Sequence, residues 1–259
     1  MKINVAIVTI DEPFYLPSTL KCLIEMSPKY IKYVSIILVP MIPKKMSQWQ
    51  FTFNQIQVFG ISQFIKIAAL YTKKKLMNAI SYREYSVVKV AKNNGIPVRK
   101  TNSLRCESLI EYISSLSLDI ILSIASSRIF GKPILSVPKL GCINVHAGML
   151  PKYRGINPSF WALLNQEKKS AVTVHFINDR IDDGDIILQD IFDIEGITRL
   201  HDLYMKIVEI APNTIVKSLV SIEENNLEKT KNERSKSSYY SFPKKEDGRK
   251  FRNLGLTYI

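Results

Sequence analysis

Residues 118–125, apolar except for Asp119 and Ser123, constrain the fold more than any other stretch of the chain. So continuous an apolar run fits a β-strand covered on both faces, and such strands belong to parallel sheets flanked by helices. The N-terminal region points the same way. Residues 2–10 alternate as a strand, 17–26 carry helical spacing after Asp11-Glu12-Pro13, and 33–40 read as a second strand. Strand, helix, strand predicts an α/β fold with an open, mostly parallel sheet. With 259 residues, 46% of them hydrophobic, the chain can bury a substantial core in one larger domain with a smaller appendage.

Further along, residues 55–60 read as a short strand and 61–79 as an amphipathic helix whose apolar side is expected to pack on the core. Helices are predicted over 87–94 and 107–115, with a short strand at 97–99 between them. A helical turn at 133–136 precedes a strand at 142–146. Asn157-Pro158 reads as the cap and first residue of a helix over 159–165. Residues 171–177 and 186–194 alternate as a strand pair, and 200–219 form a long amphipathic helix. Residues 223–238 are charged and expected to be exposed, and the tail from Tyr239 to Phe251 suits a small lobe. The organisation expected is a main domain over 1–195 and a C-terminal helix with small lobe over 196–259.

The net charge of +13 implies attraction for an anionic partner, with basic clusters at 73–100 and 229–252. The apolar runs at 34–41 and 61–71 fall short of a membrane span, and the opening residues, from Met1, read as a strand rather than a signal peptide. Cys22, Cys106 and Cys142 stand far apart without metal-ligand spacing. They suit free, mostly buried thiols in a reducing cytoplasm, and no metal site is expected. Residues 179–190 fail as a calcium loop, since Ile181 and Asp190 stand where an oxygen ligand and a Glu are needed. Neither G-x-G-x-x-G nor a P-loop occurs.

The chemistry concentrates in Asn144-Val145-His146 and Asp182. Side chains alternate along a strand, so Asn144 and His146 share a face, and Gly148, Pro151 and Gly155 end the strand just beyond them. In open α/β sheets that edge binds ligands. An amide donates without changing charge, an imidazole carries a proton near neutral pH, and a carboxylate orients it. Such a set suits the oxyanion formed when an amine attacks a carbonyl carbon. His175, within its strand, is expected to pack, Cys142 to fill a strand interior, and His201 carries no signal.

The segment Asn144-Val145-His146-Ala147-Gly148-Met149-Leu150-Pro151-Lys152-Tyr153-Arg154-Gly155 is followed by Thr173-Val174-His175-Phe176 and by Ile181-Asp182-Asp183-Gly184-Asp185-Ile186-Ile187. Together they resemble the formyltransferases that use 10-formyltetrahydrofolate. The resemblance is strong over about residues 118–190. It implies an open Rossmann-like sheet over residues 1 to about 190, and catalytic roles for Asn144, His146 and Asp182. It also implies a folate pocket built largely from backbone groups, at the loop of Ser126, Arg128 and Ile129 and at the loop of Asn178 and Asp179. The segment Thr9-Ile10-Asp11-Glu12-Pro13-Phe14 departs from the glycine-containing loop common in that family.

Three acceptors are compatible with that donor chemistry. A tRNA-directed relative would carry a further C-terminal domain of roughly 100 residues, whereas 259 − 200 = 59 residues follow position 200 here. A glycinamide ribonucleotide formyltransferase would be shorter. The resemblance therefore favours a sugar N-formyltransferase acting on a nucleotide-linked amino-deoxy sugar in surface-polysaccharide biosynthesis, with nucleic acid ranked second. Lys152, Tyr153 and Arg154 would face the anionic carrier and Tyr239 or Tyr240 would stack on its base. The apolar tail and paired aromatics would suit a homodimer contact. From another class, a non-catalytic nucleotide- or membrane-binding relative would have no need of all three catalytic groups.

Overall fold

The 118–125 run becomes the middle of the sheet. In the computed structural model, which describes residues 2–259, the chain runs β1 (Ile3–Thr9), α1 (Leu16–Met26), β2 (Ile31–Leu38), α2 (Gln48–Phe59), α3 (Ile61–Ile80), α4 (Val87–Asn93) and β3 (Val98–Lys100). It continues through α5 (Glu107–Ser115), β4 (Ile120–Ile124), α6 (Lys132–Leu135), β5 (Gly141–His146), β6 (Arg154–Gly155) and α7 (Pro158–Leu164). β7 (Lys169–Phe176), β8 (Ile186–Asp193), α8 (Leu200–Glu223), β9 (Tyr239–Tyr240) and α9 (Lys245–Asn253) complete it. Met1, the head of the expected first strand, lies outside the described residues.

Seven strands form one sheet in the order β3-β2-β1-β4-β5-β7-β8. The pairs β1·β2, β1·β4, β2·β3 and β4·β5 are parallel, while β5·β7 and β7·β8 are antiparallel. β4 is buried along its whole length, which is why its sequence does not alternate. The chain moves outward from β1 to β3 and then returns to β4 on the other side of β1. That reversal is the switch point beside which α/β sheets hold ligands.

One apolar cluster, including Leu20, Leu23, Val90, Ile215 and Leu219, covers one sheet face beneath α1, α4 and α8. A second, with Leu109, Ile113, Phe130 and Ile134, lies under α5 and α6. A third joins Val58 and Phe59 of α2, Phe160 and Trp161 of α7, Leu203 of α8 and Phe251 of α9. Past the expected boundary at 195, α8 therefore contributes to the main core, while α9 and β9 close over the third cluster.

Residues 55–60 are not a strand but the last turn of α2 with its terminal Gly60. The helix begins with a capping box: Ser47 Oγ accepts from the Gln50 amide, and Gln50 Oε1 accepts from the Ser47 amide. α3 occupies the expected amphipathic helix, yet none of its residues is fully buried. Asn157 precedes α7 with φ 54° and gives no side-chain cap. Cys142 is buried, but Cys22 and Cys106 are exposed.

Candidate active site

Antiparallel pairing of β5 with β7 sets Asn144 opposite His175 and His146 opposite Thr173. Directly opposed residues share a sheet face, so His175 joins Asn144 and His146 instead of merely packing. Asn144 Nδ2 lies 3.2 Å from His175 Nε2 and donates to Asp182 Oδ1 at 3.5 Å. The Asp182 carboxylate sits between both rings, with Oδ2 3.7 Å from His146 Nδ1 and Oδ1 3.6 Å from His175 Nε2. Sequence alternation along β7 gave the sign of this, since Thr173 and His175 share a face, but only the strand register connects that face to β5.

Backbone carbonyls fix the tautomers, because a carbonyl can only accept. His146 Nε2 is 2.8 Å from Tyr153 O, and His175 Nδ1 is 2.8 Å from Phe176 O. Each of those nitrogens therefore carries the proton of the neutral ring. His146 Nδ1 and His175 Nε2 are left as the basic atoms, the first turned toward Asp182 and the second toward both Asp182 and Asn144.

Burial holds the His146 imidazole below its ordinary pKa, an effect the nearby Asp182 carboxylate opposes. Burial would raise the Asp182 carboxyl, but His146, His175 and the Gly155 amide together bring it down to about 2. At neutral pH the pair is thus a carboxylate beside an uncharged imidazole. Cys142 is no competing nucleophile, since burial pushes its thiol up to about 12.

Asp182 has φ 47° and is held from several sides. Gly155 N–H donates to Oδ2 at 2.8 Å, and Asn232 Nδ2 donates to the backbone oxygens of Asp182 and Gly184 at 3.0 and 3.2 Å. Its neighbour Asp183 pairs with Arg154 at 3.0 Å and Arg234 at 2.6 Å. Gly184 is required where it stands, because a Cβ there would lie 1.9 Å from Phe176 O. The two-stranded pairing of β6 with β9 fixes the loop that supplies both Tyr153 O and Gly155 N.

The remaining sequence-designated residues fall in two groups. Arg154 donates from Nε to Ile181 O at 3.1 Å and pairs with Asp183 at 3.0 Å, so its charge is met inside the protein. Tyr153 is buried and stacks on Tyr240 with centroids 5.3 Å apart, and Trp161 also stacks on Tyr240, at 4.8 Å. Lys152 is exposed and Tyr239 is 57% exposed.

Ile124 lies opposite Val145, so the irregular loop holding Ser126, Arg128 and Ile129 starts beside His146. Arg128 donates to Asn102 O at 3.2 Å, to Ile42 O at 3.0 Å and to Ser127 Oγ at 2.8 Å, tying neighbouring loops together. Ile129 is exposed. Asn178 Oδ1 accepts from the Arg180 amide at 2.9 Å, and Asp179 is exposed. After β1, Glu12 accepts from the amides of Phe14, Tyr15 and Leu16. The start of α1, where the family's glycine-containing loop would stand, is closed by the chain's own carboxylate. Among the described residues no His, Cys, Asp and Glu cluster suits a metal, and no helix is long and apolar enough to cross a membrane.

The formyl transferase family model matches residues 39–219. Methionyl-tRNA formyltransferase of Clostridium tetani is 38% identical over 156 residues, covering 60% of this chain and 50% of the relative. The chain spans about half the length of the curated relatives it matches. Among solved structures, the N-formyltransferase of Helicobacter canadensis bound to folinic acid and dTDP-3-aminofucose superposes with TM-score 0.59 at 22% identity, over 99% of this chain and 84% of that one. Glycinamide ribonucleotide transformylase 1 of Symbiobacterium toebii gives 0.60 at 15% identity, over 86% and 89%. The shared feature at these identities is the fold.

Proposed function

The chain belongs to the formyl transferase family, and we propose that it moves a formyl group from 10-formyltetrahydrofolate to the amine of a nucleotide-linked amino-deoxy sugar. The observation that carries the reaction is the convergence of Asn144, His146 and His175 on the Asp182 carboxylate at the ligand-binding edge of the sheet. The donor supplies an activated formyl carbon. Irregular backbone beside His146 suits a ring system held by main-chain groups, and we assign that pocket to Ser126, Arg128, Ile129, Asn178 and Asp179.

Neutral His146 takes the proton that the attacking amine must lose, at Nδ1, and the imidazolium formed there faces Asp182 Oδ2. Asp182 stays charged throughout, as its low pKa requires. Asn144 Nδ2 donates to the oxygen on which charge develops, exchanging its longer contact, the 3.5 Å one to Asp182, for that oxygen. His175 holds the other amide hydrogen and so orients Asn144. The proton gained by His146 is returned to the leaving nitrogen.

For the acceptor, likeness to the nucleotide-sugar enzyme of H. canadensis runs over 99% of the chain, C-terminal lobe included. Exposed Lys152 and Tyr239 are proposed to meet the nucleotide, while Arg154, Tyr153 and Tyr240 hold the loops beneath it. Formylation of methionyl-tRNA is the second reading, favoured by 38% identity to those enzymes and by the charge of +13. Incubating the protein with 10-formyltetrahydrofolate and either a panel of nucleotide-linked amino sugars or charged initiator tRNA separates them. Gain of one formyl mass on a sugar is expected; activity on tRNA alone would move the assignment to the second reading.

A further inference from the structure

We propose that the outer face of α3 is a docking surface for an anionic lipid bilayer. At 3.6 residues per turn, Ile61, Ile65, Ala68, Thr72, Leu76 and Ile80 fall within a stripe about 120° wide. All six are exposed, and the four large side chains among them are 60% to 81% exposed. The opposite face, with Phe64, Ile67, Leu70 and Tyr71, is half-buried against the protein. α3 is therefore apolar on two sides, and the solvent-facing side is too continuous for scattered surface hydrophobics.

The charges around the stripe select its occupant. Lys66 and Lys73 border it on one side and Lys75 on the other, all exposed. Residues 42–83 contain seven Lys and Arg and no Asp or Glu. Six of the seven, all but Lys74, are exposed; a second copy of this chain would set these positive charges against their like, whereas an anionic membrane surface attracts them. Trp49 and Phe53, one turn apart on α2, and Tyr82 beyond α3 are also exposed, and aromatics of this kind settle at the headgroup level. Since no helix among the described residues qualifies as a membrane span, α3 would lie in the interface plane. Lys74 turns inward instead, with Nζ 5.3 Å from the ring centroids of Phe14 and Tyr85. It anchors α3 to the loop after β1, on the sheet edge that carries Asn144 and His146.

The test does not depend on the formyl-transfer reading. The full chain is floated with vesicles of phosphatidylcholine plus phosphatidylglycerol, and with phosphatidylcholine alone, at low and high salt. Flotation with the anionic vesicles at low salt is expected, falling roughly tenfold in high salt or with neutral lipid. Ile65→Glu with Leu76→Glu should abolish it without changing thermal unfolding, because both side chains already face solvent. Lys66→Glu, Lys73→Glu and Lys75→Glu together should abolish it as well. No flotation at low salt, or flotation undiminished in both variants, overturns the proposal. So does a dimer, seen by light scattering, that Ile65→Glu and Leu76→Glu disperse while vesicles remain unbound.

Discussion

Two imidazoles share one carboxylate beside the Asn144 amide, and each ring is locked by a backbone carbonyl rather than by substrate. If His146 is the base, His146→Ala should lower kcat by about 10²–10⁴, and Asn144→Ala by about 10²–10³ as an oxyanion donor. Both are measured in single turnover with saturating donor; near-normal rates would remove these residues from the mechanism. The pH profile adds an independent check. A base must be unprotonated, and burial lowers the His146 pKa, so the active form persists below the ordinary histidine value. The acid limb of kcat/KM should therefore lie below about pH 6.5, and a limb above that value would contradict a buried, neutral His146. Asn144 and His146 were legible in sequence because strand alternation puts them on one face. His175 was not, because its partnership depends on the register of β7 against β5.

At the scale of elements, the two-residue strands β6 and β9 do more for the site than their length suggests. They are joined across more than 80 residues, with Arg154 N–H donating to Ser238 O and Ile156 N–H to Tyr240 O, both at 2.9 Å. Gly155 has φ +97°, and a Cβ there would lie 2.1 Å from Tyr240 O. Gly155→Ala should cost about 1–3 kcal/mol from the backbone conformation alone and lower kcat by displacing the amide that holds Asp182. Thermal unfolding and turnover should fall together; a change in neither would show the pairing to be dispensable. Tyr240→Ala should likewise lower stability, because its ring stacks on both Tyr153 and Trp161, whereas Tyr239→Ala should raise only the KM for the proposed nucleotide-linked acceptor. Each of the seven strands of the sheet could be read from apolar runs and spacing, along with an eighth at 55–60 that is helix. Pairing between short segments distant in sequence leaves no such period, and the Ser47–Gln50 capping box that opens α2 signals a helix where the apolar content of 55–60 suggests a strand.

For the molecule as a whole, a charge of +13 draws anionic acceptors regardless of which one is chemically competent, so attraction must be separated from recognition. Long-range steering acts on encounter and is screened by salt, while proton transfer inside the buried cluster is not. Raising ionic strength should therefore lower kcat/KM for the acceptor and leave kcat nearly unchanged. For a nucleic acid, which releases condensed counterions on binding, the slope also counts phosphates, since each one neutralised contributes about 0.7 to 0.9 to the fall of log affinity with log salt. A nucleoside diphosphate sugar carries no such counterion atmosphere and should show only the shallow dependence of ordinary charge screening, whereas a tRNA gripped at 6–10 phosphates would give a slope of roughly −4 to −9. Steady-state rates across a salt series, with each acceptor in turn, measure this directly. A shallow slope with a productive sugar supports the nucleotide-sugar reading; a steep one with productive tRNA assigns the basic surface to nucleic acid instead.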